Sequence, residues 1–263
     1  MLNAPQIDPV FFHVGPLAVR WYGLMYLLGF VAAFFIIKKL AARRQLSFDS
    51  DAVSDLLFYI VLGVILGGRF GYVLFYNFSY FIEHPLQIFS VWQGGMSFHG
   101  GLTGVVIATL LYCRRHTIAI LPLADILAIA ATIGLGLGRI GNFINSELWG
   151  RVTTHPWGMI FPGAGPLPRH PSQLYEAIVE GPILFFLLYW LFTKKVKNGS
   201  ILFCFLIFYG VGRFFIEFFR EPDQQIGFLW GGATMGQILC LLMIVTGSVG
   251  LFWLRRRGVN AEP

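Results

Sequence analysis

Gly138-Arg139-Ile140-Gly141-Asn142-Phe143-Ile144-Asn145-Ser146-Glu147-Leu148-Trp149-Gly150 closes a long apolar run that begins near Leu123. Such a run can cross the bilayer's hydrocarbon core, which is about 30 Å thick. A charge at mid-bilayer costs about 3 kcal/mol on insertion scales, so ionisable residues there face protein or an aqueous cavity and are functional candidates. Here an arginine, two asparagines and a glutamate crowd one end of the run. Arg139 and Asn142 are three apart, as are Asn142 and Asn145, so a helix places them on one face. A polar helix end beside an interfacial Trp149 is the plainer alternative. Four polar side chains in so short a run weigh against it.

The rest of the chain sets this stretch in a membrane. Of 263 residues, 56% are hydrophobic and 12% charged, whereas soluble domains carry about 25% charged residues. The expected fold is an all-α integral membrane protein, one polytopic domain over 1–263. Spans are expected at about 17–37, 53–75, 96–112, 123–144, 174–192, 200–218 and 233–254, seven in all. Residues 1–16, with Pro5, Pro9 and Pro16, read as an irregular or interfacial arm. The first span lacks a preceding basic segment and a small-residue cleavage site, so it is expected to stay. Residues 145–172, rich in Gly and Pro, read as a small extramembrane head. Glycines 134, 136, 138 and 141 would let neighbouring helices approach closely. Cys113, Cys204 and Cys240 are isolated in apolar runs, form no metal spacing and read as packing residues.

The charges define a topology. A net charge of +6 could suit nucleic acid, but 12 of the 19 Lys and Arg residues follow spans one, three, five and seven. Those ends share one side, which the positive-inside rule makes the cytoplasm. The N-terminus is then outside, the C-terminus inside and the head periplasmic, with no nucleic-acid partner. The remaining seven basic residues, Arg20, Arg69, Arg139, Arg151, Arg169, Arg213 and Arg220, are all arginines in spans or on the outer side. Small numbers explain that split as well as selection for phosphate-binding guanidinium forks does.

Tyr22, Arg69, His99, Arg139 to Glu147, and Arg213 with Glu217 all fall at the outer ends of their spans, at headgroup depth. A transport path would distribute polar groups through the full depth. Several arginines beside neutral hydrogen-bonding groups suit a phosphate anion. Arg213 and Glu217, four apart, read equally as a helical ion pair. His99, beside Gly100-Gly101, reads equally as structural or as a general base. For Tyr22 the residues alone favour an aromatic-belt role. There is no HExxH, GxSxG or P-loop motif and no Cys/His cluster, hence no expected metal. An intramembrane protease would need a catalytic dyad, and Asp125 is the one aspartate expected in a span. The residues themselves therefore stop at an outer-interface site for an anionic lipid, with the reaction open.

The stretch 138–150 resembles, at every fixed position, the signature G-R-x-G-N-F-x-N-x-E-x-x-G of the bacterial phosphatidylglycerol–prolipoprotein diacylglyceryl transferases. The resemblance extends to Trp21-Tyr22-Gly23-Leu24-Met25-Tyr26, Gly67-Gly68-Arg69, Gly94 to Gly101, Arg169 to Glu176 and Gly212 to Arg220. It implies an enzyme of the bacterial cytoplasmic (inner) membrane with seven spans and its active site toward the periplasm. That family moves the sn-1,2-diacylglyceryl group of phosphatidylglycerol onto the lipobox cysteine thiol of preprolipoproteins and releases glycerol-1-phosphate, the first step of lipoprotein maturation. The implied partners are phosphatidylglycerol, the preprolipoprotein signal peptide and membrane lipids, with no cofactor. By motif match the family's important residues fall on Tyr22, His99, Arg139, Asn142, Glu147, Gly150, Arg213 and Glu217. Read with that chemistry, His99, Arg139, Arg213 and Tyr22 are the catalytic candidates. Arg139, Asn142, Glu147, Gly150, Arg213, Glu217 and Arg69 are the phosphatidylglycerol-binding ones. Glu147 and Glu217 are expected to orient the arginines. The segment 149–169 looks shorter than in some relatives, which affects contacts between the head and the peptide.

Overall fold

The computed structural model describes residues 2–15, 17–46, 48–222 and 227–259. The chain divides into two compact units: Lys38–Leu123, and the remainder, Met1–Ile37 with Ala124–Pro263. Most described residues are helical, and the architecture is that of an α-helical membrane protein.

Five helical stretches among the described residues are long and apolar enough to cross a membrane: Trp21–Arg43, Ser50–Phe75, Ile120–Ile144, Ser172–Thr193 and Met235–Arg256. Two further helices, Phe98–Arg115 and the shorter apolar Ser200–Ile216, lie where spans three and six were expected. Most expected limits fall within a few residues of the helices. The largest shift is at the first span, where Val10–Val14 (β2) and Leu17–Arg20 (β3) pair antiparallel. The helix therefore begins at Trp21 and not at residue 17, and it runs on to Arg43. Short strand pairings accompany the helices of this mostly helical fold, so the arm is not irregular throughout: β1 (Leu2–Asn3) also pairs in parallel with β4 (Met159–Ile160). Pro16 lies outside the described residues.

In the unit Lys38–Leu123, α2 (Ser50–Phe75) starts where Asp49 accepts a hydrogen bond from the Ala52 amide at 2.8 Å. This start, earlier than expected, adds Asp51 to the helix, which also carries Asp55. After α3 (Phe78–Glu83) and two short 3-10 turns, α4 (Phe98–Arg115) is capped by Ser97, whose Oγ accepts from the Gly100 amide at 3.2 Å. A cap of this kind is worth about 1 kcal/mol. α2 and α4 pack backbone to backbone. A Cβ on Gly104 would lie 1.9 Å from the Gly63 carbonyl oxygen, and one on Gly67 would lie 2.4 Å from that of Gly100. Membrane helices gain no hydrophobic drive from each other, so close van der Waals contact through small residues holds this pair.

In the other unit, α1 (Trp21–Arg43) and α5 (Ile120–Ile144) contribute the segments up to Ile37 and from Ala124. The helix after the head is interrupted: α6 (Ser172–Ile178) passes through a π-turn, Val179–Ile183, into α7 (Leu184–Thr193). Pro182 in that turn has no amide hydrogen and crowds the preceding turn, which the wider π-turn relieves. Gly181 crosses Gly136 of α5 there: a Cβ on Gly136 would lie 2.9 Å from Gly181 Cα. Gly141 meets the Tyr22 ring in the same way at 3.0 Å. Gly134 is approached by Gly29 of α1, on which a Cβ would lie 3.1 Å from Gly134 Cα, although methyl groups added at Gly134 or Gly138 themselves would meet nothing within 4 Å.

α8 (Ser200–Ile216) begins on Asp125, whose carboxylate accepts from the Gly199 and Leu202 amides at 2.8 and 2.9 Å. That buried aspartate satisfies helix-end donors that have no water available. α9 (Met235–Val259) opens with a capping box. Gln237 N donates to Thr234 Oγ1 and Thr234 N donates to Gln237 Oε1, at 3.2 and 3.0 Å. Cys113 and Cys240 are buried and Cys204 half-buried, all three as free thiols.

Gly104→Ala is expected to lower thermal stability by about 1–3 kcal/mol through overpacking, whereas Gly134→Ala, with open space and better helix propensity, is expected to be neutral or mildly stabilising. Thermal unfolding of the two purified variants in one detergent makes the comparison.

Candidate active site

The site in the larger unit is built where α5, α6, the π-turn, α8 and the start of α9 meet. The Gly136–Gly181 crossing sits one helical turn before Arg139 and one residue after Glu180. Backbone contact at that level brings the two side chains together. Arg139 Nε donates to Glu180 Oε2 at 2.9 Å and Nη2 to Oε1 at 3.3 Å, a two-point pairing along one edge of the guanidinium. Its Nη1 lies 2.7 Å from Glu176 Oε2. The other oxygen of Glu176 accepts from Arg213 Nη1, and Arg213 Nη2 lies 2.8 Å from Glu217 Oε2. Glu217 Oε1 accepts from Thr234 Oγ1 at 3.0 Å, which ties the series to the capping box of α9.

The result is an alternating line: Glu180, Arg139, Glu176, Arg213, Glu217. The side chains of Glu176 and Glu180 are each 1% exposed, Arg213 8% and Arg139 18%. Removing ions from water costs several kcal/mol each, which is tolerable only because every member is flanked by opposite charge. Gly236 is needed beside it, since a Cβ there would lie 2.7 Å from Glu217 Oε1.

The end of α5 forms a second, adjoining cluster. Asn142 Nδ2 donates to Glu147 Oε1 at 2.8 Å and Asn145 Nδ2 to the same oxygen at 3.4 Å. The chain turns here through Ser146 and Leu148, both at positive φ. The Gln173 amide holds the Glu147 carbonyl at 2.7 Å. Glu147 was expected to orient an arginine. The structure instead pairs it with two asparagines, because the helix ends at Ile144 and the turn folds Glu147 back over α5. Glu217 does pair with Arg213, across one turn as the i,i+4 spacing allowed.

Gly150 has a packing reason. It lies in the strip where the head meets the end of α8, and a Cβ would come within 2.5 Å of the Phe219 carbonyl and 2.6 Å of the His170 carbonyl. Its amide donates to His170 O, and Arg151 N donates to Phe219 O. Arg169 fastens the same strip through Gly150 O at 3.2 Å and Glu221 at 3.0 Å. Tyr22 packs on Gly141, with its hydroxyl 3.2 Å from that of Tyr26.

Two candidates belong to the other unit. His99 is exposed in the first turn of α4, its ring edge-on to Phe98. Arg69 is buried and directed inward. It donates to the carbonyls of Gln87, Ile88, Gly94 and Gly95 at 2.5–3.1 Å, and its guanidinium lies 5.0 Å from the Phe81 ring centre. Its N–H groups thus organise the loop before α4.

Sequence reasoning missed Glu176 and Glu180. Both sit in an expected span and are ionisable, so the rule that singled out Arg139 applied to them too. Among the described residues no group of three or more His, Cys, Asp or Glu could hold a metal ion.

The chain has extensive likenesses among known proteins. The family model described as prolipoprotein diacylglyceryl transferase matches residues 9–253. A protein of Geobacter sulfurreducens named phosphatidylglycerol–prolipoprotein diacylglyceryl transferase is 55% identical over 259 residues, 98% of this chain and 100% of the relative. Relatives of the same name from Vibrio cholerae and Aliivibrio salmonicida are 53% and 51% identical over 99% of this chain and 96% and 92% of their own lengths.

The segment 150–170 is expected to carry a pH dependence of its own. His170 is buried, with Nδ1 3.2 Å from the Tyr175 hydroxyl and its ring 5.1 Å from that of Phe219. Burial, and then the adjacent His155, lower its pKa below the ordinary imidazole value. The unfolded head therefore binds a proton more readily than the folded one. Head stability is expected to be full above about pH 6.5 and to fall as the pH drops from there through the lowered folded value. Amide exchange over residues 150–170 between pH 5 and 8 measures this, and His170→Gln is expected to flatten the profile.

Proposed function

The chain belongs to the prolipoprotein diacylglyceryl transferase family, and on that premise we propose that it transfers the sn-1,2-diacylglyceryl group of phosphatidylglycerol to the lipobox cysteine thiol of preprolipoproteins. It is an enzyme of lipoprotein biosynthesis, and the reaction releases glycerol-1-phosphate. The observation that carries this reading is the likeness over nearly the full length to relatives named for the activity.

In the reaction the thiol sulfur forms a bond to a glycerol carbon and the carbon–oxygen bond to phosphate breaks. The electron pair of that bond passes to the phosphate oxygen, so charge on the departing monoester must be held. Arg139 is the group we assign to it. Its fork is fixed by two buried carboxylates, and it is the most exposed member of the line. Preorganised donors of this kind are worth about 3–4 kcal/mol in other enzymes. Asn142, beside it on α5, is a further headgroup contact, with Glu147 holding its amide. Glu217 and Arg213 support the fork from behind. Tyr22 and Gly150 line or shape the same end of the unit. Arg69 is left out of the headgroup site because its donors are committed to the loop before α4.

The thiol, with an unperturbed pKa near 8.5, needs help to ionise. His99 is the proposed base, since its imidazole is exposed in the first turn of α4 and imidazole nitrogens can accept a proton. The glutamates of the line are poor candidates because their oxygens are already engaged by guanidinium N–H groups. For topology, the basic clusters after alternate helices support seven spans in the bacterial inner membrane. The N-terminus and the head at 145–172 then face the periplasm and the C-terminus the cytoplasm.

Purified protein incubated with phosphatidylglycerol and a lipobox peptide is expected to add one diacylglyceryl unit to the peptide, read by mass spectrometry, with a Cys→Ser peptide unchanged. A cleaved peptide would indicate a protease, and an unmodified one would overturn the assignment. Arg139→Lys keeps charge but loses the fork, and is expected to lower turnover by about 100-fold or more, the range for a lost transition-state donor. An active lysine variant would sink the geometric claim. His99→Gln is expected to lower turnover by about 100-fold or more at neutral pH, the range for general base catalysis. Retained turnover would remove His99 from that role.

A further inference from the structure

Glu176 has one oxygen on each of two arginines: Oε2 lies 2.7 Å from Arg139 Nη1, and Oε1 accepts from Arg213 Nη1. A carboxylate shared in this way fixes how one guanidinium sits relative to the other. Arg213 is further committed on its opposite side, where Nη2 meets Glu217 Oε2 at 2.8 Å. Both terminal nitrogens of Arg213 thus face buried carboxylates, and its side chain is 8% exposed against 18% for Arg139.

The charge balance sharpens the point. Three carboxylates face two guanidiniums in this line, so it offers no excess positive charge to draw an anion. A phosphate held here is held by directed N–H groups, and their orientation decides the strength of the contact. The most exposed group of the line is Arg139, and its orientation is set by Glu180 along one edge and Glu176 at the other. Glu176 in turn is set by Arg213.

We infer that Arg213 and Glu176 are positioning residues: Arg213 acts on the headgroup phosphate through Glu176, which holds the Arg139 fork, and not by touching the substrate. This rests on the assignment of Arg139 as the group that holds the departing phosphate. It changes the place of Arg213, which sequence reasoning put among the catalytic and lipid-contacting groups.

A double-mutant cycle tests it, with wild type, Arg213→Gln, Glu176→Gln and the pair, using phosphatidylglycerol in detergent micelles and a lipobox peptide. Groups acting in series are non-additive, whereas independent contacts multiply. Each single variant is expected to lower kcat by about 10- to 100-fold, the range seen when partners that orient a reactive group are removed. KM for phosphatidylglycerol is expected to stay within about threefold, as for an interaction that matters only in the transition state. The double variant should be slower than the worse single by less than about threefold.

A double variant slowed by the product of the two singles, or a large rise in KM for Arg213→Gln alone, would overturn the inference and make Arg213 a direct contact. Thermal unfolding of each variant checks folding. If Glu176→Gln does not fold, Glu176→Asp, which keeps the charge and shortens the reach by one methylene, takes its place in the cycle with the same expectation. A wild-type enzyme that leaves the peptide unmodified would instead defeat the proposed reaction.

Discussion

The alternation of Glu180, Arg139, Glu176, Arg213 and Glu217 is the constraint on which the larger unit depends. Five ionisable side chains sit in a chain that is 56% hydrophobic, where each alone would be costly to bury. They are tolerated as a series in which every charge has an opposite neighbour. Losing one member leaves its neighbours uncompensated, and breaking a buried pair in this way costs about 3–5 kcal/mol. The line therefore ties α5, α6, the π-turn and α8 together, and through Thr234 it reaches the first turn of α9. Stability and site geometry rest on the same contacts.

The backbone is arranged to permit that line. The Gly136–Gly181 approach sets the level at which Arg139 and Glu180 meet, and the π-turn around Pro182 lets Glu180 face α5 without breaking the span. Asp125 plays a comparable part at the start of α8, where it supplies acceptors that water would otherwise provide. In the smaller unit the glycine contacts of α2 and α4 do the equivalent work, and Arg69 binds the loop before α4 to α2. Polar groups inside the spans thus serve two ends. Some organise buried backbone, and others pair with one another in the charged line.

The two uses cannot be told apart from residue type. Arg69 and Arg139 are both arginines near the outer end of an expected span. Arg69 spends its donors on backbone carbonyls. Arg139 is gripped by Glu180 along one edge and by Glu176 at the other terminal nitrogen, and is the most exposed member of its line. Glu147 and Glu217 show the same divergence: one holds asparagine amides at a helix end, the other holds an arginine.

The sequence by itself determined the helical membrane class of fold, the approximate limits of most helices and the family. Length, hydropathy and charge placement are local properties, and each span must satisfy its own backbone hydrogen bonds in lipid, so these features can be read along the chain. Tertiary structure alone decided the partners. Glu176 and Glu180 lie 37 and 41 residues from Arg139, and nothing in the chain says which helix faces they meet. That depends on a close glycine crossing and a π-turn, which set helix rotation and depth. The hairpin before α1 and the pairing of Leu2–Asn3 with Met159–Ile160 were hidden for a related reason: short strands draw their stability from a partner distant in sequence, and their own few residues carry little periodic signal.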